Sequence, residues 1–499
     1  LIGARRYGDR DGNVGFILTD SRSLCFPEET LFFALKSERN DGHNYIPELY
    51  RRGVRNFVVS QVPKGYASDY PEANFLKVVN TLEALQRLAE RHRDEFNIPI
   101  VGITGSNGKT MVKEWLHQLL SPSMFVTRSP RSYNSQIGVP LSVWLLNEQT
   151  QVGVFEAGIS QPGEMLALRD IIQPTIAVLT YLGAAHQENF ESLEAKCREK
   201  IILFHDAETI VYNGDDETVS GVVNEYKDYK GEKLFWSFRD TKAPFFVKNV
   251  EKKGNLSIIT YIYKGEEDSY SLPFIDEASV TNSIIAAVVS RRLGLSAEEL
   301  DKRMALLEPV AMRLEVKEGQ HGCTLINDSY NSDINSLDIA LDFMSRRPDH
   351  KGRRHTLILS DIFQSGESAK DLYHEVSDLC RKRGVVKFIG IGPQLCSQSD
   401  EIQISEKFFF SNVEEFIDSE VFKSLRDEVI LLKGARQFGF DQLTELLVRK
   451  VHETTLEVNL NAVVANLNYY RSFMKPETKL VCMIKADGSG AGAVEIAKT

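Results

Sequence analysis

The residues with the clearest chemistry lie in Ile98–Thr110, which reads I-P-I-V-G-I-T-G-S-N-G-K-T. An apolar run of strand length breaks into Gly105, Ser106, Asn107 and Gly108. Lys109, Thr110 and a helical pattern follow, with Val112, Trp115 or Leu116, and Leu119 recurring on one face. Backbone N–H groups freed by glycine, the positive end of the following helix and one ammonium group then face the same point, which is how a polyphosphate is held. The loop is shorter than G-x-x-x-x-G-K-T, because Ile103 stands five residues before Gly108 and Gly105 is the nearer glycine. Two more polar residues fall at strand ends. Glu156 closes V-G-V-F-E at 152–156, and His186 lies a few residues past T-I-A-V-L-T-Y-L at 175–182. A carboxylate and an imidazole on the same sheet edge as a phosphate cradle predict a Mg²⁺ site. The bland alternatives are a glycine turn with a chance lysine, a solvated glutamate and a hydrogen-bonded structural histidine.

A parallel sheet would place these groups together, since ligands gather at the carboxyl ends of its strands. From 98 to about 300, strand candidates at 98–103, 152–156, 175–182 and 209–213 alternate with helical stretches, which predicts a mostly parallel α/β sheet. A second α/β pattern follows from about 311 to 450. Its strands are expected at 323–327, 355–360, 385–391 and 429–433, and its helices near 334–345, 369–383 and 412–425. No G-x-G-x-x-G follows its first strand, so it reads as Rossmann-like without a dinucleotide fingerprint. Residues 1 to about 96 mix short strands and helices and end in a Leu- and charge-rich helix, 81–95. The expected domains are 1–96, 97–310, 311–450 and 451–499, in keeping with a chain of 499 residues, too long for one core.

Apolar residues make up 42% of the chain and charged residues 26%, the balance of an ordinary globular protein. No stretch approaches the roughly eighteen uninterrupted apolar residues of a membrane span. A net charge of −11 argues against nucleic acid as the main partner, so an anionic substrate must be held by local cations and helix ends. The six cysteines are scattered with no C-x-x-C pair, which points to reduced thiols in a cytoplasmic protein and to neither a zinc site nor a disulfide framework. Leu1 reads as lying inside an ongoing domain, so the native N-terminus and any targeting signal are expected upstream of it.

Several motifs, in order, resemble the Mur ligases. The T-G-S-N-G-K-T loop is similar to that of Mur ligases and folylpolyglutamate synthases. N-S-Q-I-G-V-P-L at 134–141, F-E-A-G-I-S-Q-P-G-E-M at 155–165 and L-G-A-A-H-Q-E-N-F-E-S-L-E at 182–194 resemble the central ATPase domain. M-R-L-E at 312–315, N-D-S-Y-N-S-D at 327–333, S-D-I-F-Q-S-G-E at 360–367 with His374, and L-K-G-A-R at 432–436 resemble the third domain. Near the start, Asp20-Ser21-Arg22 and Asp41-Gly42-His43 resemble the uridine-nucleotide domain of the branch that adds D-alanyl-D-alanine. Taken without the resemblance, Asp20-Ser21-Arg22 is a helix or turn cap. The chain departs from the family pattern at Ser37, at Tyr181 where an asparagine is expected, and at Ala278-Ser279 where a His-Asn pair is expected.

The resemblance implies a fold and a set of roles. The fold is α/β: a small mixed UDP-substrate domain, a central P-loop ATPase sheet and a Rossmann-like third domain. Gly105, Ser106, Asn107, Gly108, Lys109 and Thr110 would cradle ATP, with Lys109 on the β- and γ-phosphates. Thr110 and Glu156 would hold one Mg²⁺, and His186 would help to hold a second. Lys200 falls where the family carries a carbamylated lysine, and Lys196 is the alternative position. Asn282 matches an adenine-side asparagine, although a helix N-cap would explain it equally well. Arg313 would reach ATP phosphate from the third domain and Asp328 the ribose. Asn331 and Lys433 would lie toward the incoming amine. Asp20, Ser21, Arg22, Asp41, Gly42 and His43 would contact the UDP substrate.

The last stretch resembles another family. T-L-E-V-N-L-N-A-V-V-A-N-L-N-Y-Y-R-S-F at 455–473 and K-L-V-C-M-I-K-A-D-G-S-G-A-G at 479–492 are similar to the opening of an alanine racemase, a TIM-barrel enzyme. Lys485 matches its pyridoxal phosphate lysine, while Ser489 and Ala491 depart from the pattern. Only the first elements of that barrel are in the sequence, so racemase activity is not expected from it.

The implied activity is ATP-dependent amide formation. A carboxylate is phosphorylated to an acyl phosphate, which an amine displaces, and cations must meet the negative charge that accumulates. The expected substrates are UDP-N-acetylmuramoyl-tripeptide and D-alanyl-D-alanine. The ligase part is expected to be monomeric and a complete racemase part dimeric. Alternatives are another Mur step, a folylpolyglutamate-type ligase, or a catalytically silent nucleotide-binding scaffold.

Overall fold

In the computed structural model, residues 2–449 are described apart from 11, 38–39, 184–186, 227–228, 311–313, 330–332, 347–351, 363–367 and 436–437. Beyond 449 only 463–464, 466–467, 470 and 478 are described. His186, Arg313, Asn331 and Lys485 therefore lie outside the described residues. The chain divides into two compact units, with residues 1–91 in the first and 92–450 in the second.

In the first unit, strands Phe16–Leu18, Thr30–Phe33, Asn56–Val59 and Asn74–Lys77 run parallel in that spatial order. Arg5–Tyr7 closes the far edge antiparallel to Asn74–Lys77. T-L-F-F and N-F-V-V are buried at every position, as expected for inner parallel strands covered on both faces.

The second unit opens with a six-stranded parallel sheet. Its order is Glu232–Lys233, Thr209–Val211, Ile176–Leu179, Ile100–Thr104, Val152–Glu156, Val126–Arg128. The strand that feeds the phosphate loop is thus central, with the strand ending at Glu156 on one side and the strand preceding Tyr181 on the other.

A four-stranded sheet follows that the expectation of a mostly parallel region to residue 300 missed. Trp236–Ser237 pairs parallel with Phe245–Lys253, which continues antiparallel through Leu256–Tyr263 and Glu266–Leu272. The local signal is present: L-S-I-I-T-Y-I-Y alternates between buried and more open positions. Turns at Gly254 and at Lys264-Gly265 adopt positive φ. This sheet and the helices Lys109–Leu120 and Glu277–Arg292 share one core, which joins Trp115, Phe245, Tyr261 and Ile284. Because Glu277–Arg292 is covered on all sides, from Ser283 to Ser290 it is buried at every residue.

The last sheet runs Glu315–Glu318, Thr324–Asp328, Glu428–Lys433, Arg354–Ser360, Val385–Ile391, Glu406–Phe410. All pairs are parallel except the first. The two outer strands were not expected from sequence. The single helix expected at 412–425 is two, Val413–Asp418 and Glu420–Lys423, because Ser419 caps the second by accepting from Phe422 N. Among the described residues no helix is long and apolar enough to cross a membrane.

Candidate functional site

The phosphate loop leaves a wholly buried strand and enters the helix Lys109–Leu120. Gly105 has φ +144° and Gly108 φ +89°. A Cβ on Gly105 would stand 2.1 Å from Thr180 Oγ1, and one on Gly108 2.5 Å from Asn282 Oδ1. Conformation and space both demand glycine at these two positions. The loop is tied to the end of the neighbouring strand: Ser106 N donates to Tyr181 O at 2.6 Å, Gly183 N to Ser106 Oγ at 3.0 Å, and Thr180 Oγ1 to Asn107 O at 2.5 Å. A loop shaped in advance loses little conformational freedom when it binds. Lys109 Nζ donates to Gly105 O at 2.7 Å and Ser106 O at 3.2 Å, so the ammonium is already held at the cradle.

The carboxylate is built into the same edge. Glu156 is fully buried. Its Oε2 accepts from Thr110 Oγ1 at 3.1 Å and from Asn134 Nδ2 at 3.4 Å. Ser132 Oγ lies 3.0 Å from Thr110 Oγ1. Glu156 Oε1 has no hydrogen-bond donor, although Lys113 Nζ lies 3.1 Å away as an ion pair. A buried carboxylate oxygen with spare acceptor capacity, next to a glycine cradle that side chains would fill, suits a bound divalent cation and its phosphates. Thr110 and Glu156 are brought together as expected. Among the described residues no group of three or more His, Cys, Asp or Glu side chains is placed to hold a metal, and His186 lies outside them.

Both candidate lysines are inside, on the helix Leu193–Ile201. Lys200 Nζ donates to Gly105 O at 3.3 Å, on the loop itself. Burial, then the neighbouring Lys109 and Lys196 charges, push its amine well below the ordinary lysine range. Lys196 donates to Gly183 O, and burial lowers it to about 8, while Asp333 and Glu188 resist that shift. Of the two, Lys200 touches the phosphate loop directly.

Asn282 is not a helix cap. Asp276 is, with Oδ1 accepting from Ser279 N at 2.8 Å, and Asn282 lies inside the helix with its Nδ2 3.4 Å from Met111 Sδ. Its position against Gly108 follows from the packing of the helix Glu277–Arg292 on the helix that the loop begins. In the last sheet Asp328 and Lys433 end adjacent strands and pair with each other, Nζ to Oδ2 at 2.7 Å. The resemblance alone gave them separate ligand roles.

In the first unit, both motif aspartates cap short 3₁₀ turns. Asp20 accepts from Arg22 N at 3.0 Å and from the Arg22 side chain at 2.6 Å, and the guanidinium holds its carboxyl below the usual range. Arg22 itself is open to solvent. Asp41 accepts from His43 N at 3.0 Å and lies 2.6 Å from His43 Nδ1. Since Ser60 N donates to His43 Nε2 at 3.1 Å, the ring proton sits on Nδ1. A Cβ on Gly42 would meet Ala34 Cα and Leu35 backbone at 2.8 Å, which explains the glycine by close approach. Asp20-Ser21-Arg22 thus has the capping role that its residues alone suggest, and Asp41 caps its turn in the same way.

Sequence reasoning passed over Lys113, Ser132, Asn134 and Thr180, all of which touch site residues. Lys113 carried a faint signal, as a charged residue between the buried Val112 and Trp115. Asn134 opens the N-S-Q-I-G-V-P-L motif, and Ser132 and Thr180 are loop polars whose partners are distant in sequence.

The geometry can be set beside known proteins. Residues 103–290 match the Mur ligase middle domain, and residues 458–499 the alanine racemase N-terminal domain. The UDP-N-acetylmuramoyl-tripeptide--D-alanyl-D-alanine ligase of Bacillus subtilis is 28% identical over 368 residues, covering 72% of this chain and 76% of that protein. The protein of the same name from Borreliella burgdorferi is 28% identical over 450 residues, covering 87% and 93%. In fold the chain is similar to the MurF ligase of Thermotoga maritima solved in complex with ADP, with a TM-score of 0.72, 22% identity and coverage of 86% and 96%. It is likewise similar to MurF from Acinetobacter baumannii, with a TM-score of 0.73, 22% identity and coverage of 86% and 92%. A shaped phosphate loop with its carboxylate and these likenesses lead to one conclusion: residues 103–290 are a Mur ligase middle domain, and residues 458–499 match the N-terminal domain of an alanine racemase.

Proposed function

We infer that this protein is an ATP-dependent amide ligase that joins D-alanyl-D-alanine to UDP-N-acetylmuramoyl-tripeptide through an acyl phosphate. The observation that carries the reading is the cradle at Gly105–Thr110, with the Lys109 ammonium held at it and Thr110 hydrogen-bonded to Glu156 at its mouth. The two substrates are those in the names of the relatives from Bacillus subtilis and Borreliella burgdorferi. In this reading the tripeptide carboxylate attacks the γ-phosphoryl group, and the amine of the dipeptide then displaces phosphate. Lys109 exchanges its bonds to the loop carbonyls for bonds to phosphate oxygens, and its charge offsets the negative charge that builds there. The loop N–H groups and the helix start do the same without reorganising. Thr110 and Glu156 would hold Mg²⁺, whose charge lowers repulsion between the phosphates and the incoming carboxylate.

The remaining assignments belong to the same proposal. Lys200 is the lysine for carbamylation, because a buried amine kept neutral is nucleophilic toward CO₂ and sits against the loop. By the resemblance Asn282 would serve the adenine side, His186 and Arg313 the phosphates, Asp328 the ribose, and Asn331 and Lys433 the incoming amine. Asp20, Arg22, Asp41 and His43 serve the UDP substrate. Domain limits near 96, 310 and 450, a monomeric ligase part and a cytoplasmic setting, where the nucleotide precursor and ATP meet, complete the reading. Lys485 would bind pyridoxal phosphate only in a complete, dimeric racemase domain.

The test is phosphate release by the purified chain with Mg·ATP. Release is expected only when UDP-muramoyl-tripeptide and D-Ala-D-Ala are both present. Release with glutamate and a folate, or with no substrate pair, overturns the reading.

A further inference from the structure

Lys113 is a charged group beside the loop that the reaction as described above does not use. It is fully buried on the helix Lys109–Leu120. Its Nζ donates to Ser129 O at 2.9 Å and to Arg131 O, and lies 3.0 Å from Glu114 Oε1 and 3.1 Å from Glu156 Oε1. The side chain therefore joins three pieces of the site. These are the helix that begins at the phosphate loop, the segment 129–131 leading to Ser132 and Asn134, and the carboxylate at the end of Val152–Glu156. Ser129 contributes again from the other direction, since its Oγ accepts from Glu156 N at 3.2 Å. Glu114 in turn is held by Arg128 Nε at 3.0 Å.

This arrangement is more specific than a buried ion pair. The two backbone carbonyls take hydrogen bonds from the ammonium, while Glu156 Oε1 receives its charge but no proton. Oε1 is left with acceptor capacity, and Oε2 is oriented by Thr110 and Asn134. We propose that Lys113 is a positioning residue: it fixes the orientation of the Glu156 carboxylate and so sets how strongly the site takes its divalent cation. The proposal rests on the reading of Glu156 as a cation-holding group. Partners one step removed from a metal ligand typically change metal affinity about ten- to a hundredfold when lost.

The experiment measures Mn²⁺ binding in the presence of ADP by electron paramagnetic resonance on the full chain. Alongside it, circular dichroism tests folding, and turnover is followed against Mg²⁺ concentration. For Lys113→Met, Mn²⁺ affinity is expected to fall about tenfold or more. The Mg²⁺ needed for half-maximal turnover should rise in parallel, and the KM for D-Ala-D-Ala should stay unchanged. Lys113→Arg, which keeps the charge, should recover most of the affinity. A folded Lys113→Met that binds Mn²⁺ as the parent does overturns the positioning role. If Lys113→Met does not fold, Lys113→Gln decides. It keeps a donor for the carbonyls of Ser129 and Arg131 but loses the charge beside Glu156, and should weaken Mn²⁺ binding about tenfold. Unchanged binding there overturns the proposal. Failure of the parent chain to bind Mn²⁺ with ADP instead overturns the reading of Glu156 itself.

Discussion

Lys433 donates from Nζ to Asp328 Oδ2 at 2.7 Å across two neighbouring parallel strands, and both side chains are buried. The pair closes the carboxyl edge of the last sheet, where a Rossmann-like domain presents its ligand-facing groups. One Asp328 oxygen is therefore already committed to Lys433.

Removing one partner leaves the other charge buried. Asp328→Ala or Lys433→Met should each lower stability by about 3–5 kcal/mol. Asp328→Ala combined with Lys433→Met should recover much of that loss. Urea unfolding of the two single variants and the double variant measures the coupling, and additive losses would show that the pair is not a unit.

Gly108→Ala adds a Cβ 2.5 Å from Asn282 Oδ1 at a φ of +89°. The strain alone costs about 1–3 kcal/mol. The larger expected effect is on ADP affinity, read by calorimetry, because the loop must move away from Asn282. Lys109→Ala should abolish turnover while leaving UDP-substrate affinity near that of the parent. Loss of both would make the loop structural.

Lys196 carries a pH signature. Its folded pKa of about 8 lies below the ordinary 10.5, so between these values the unfolded chain binds more protons than the folded one. Stability from this group thus rises with pH across that window, by roughly 3 kcal/mol in all, and is constant below it. Cys197 and Cys380, whose thiols burial pushes up to about 12, act in the opposite sense above the ordinary thiol range. The comparison is therefore one of slopes. Unfolding free energy followed from about pH 7 to about pH 10 should climb less steeply in Lys196→Met than in the parent. Lys200→Met, by the same sign, should flatten it too.

What the sequence determined by itself was local. Gly105–Thr110 was legible because strand, glycines, lysine and helix are contiguous, and each constrains the next through backbone geometry. Glu156 was legible as the last residue of an apolar run whose end must lie on the ligand edge of a parallel sheet. Ordered motifs carried the family. The tertiary structure decided what depends on partners far apart in the chain. It placed Lys113 between Ser129, Arg131 and Glu156, and it chose Lys200 over Lys196 as the amine against Gly105. It also set Asn282 against Gly108 rather than at a helix end, and it paired Asp328 with Lys433. Burial is a property of the whole fold: a lysine's period along a helix says where it points, and only the packed neighbours say whether it meets water, a carbonyl or a carboxylate.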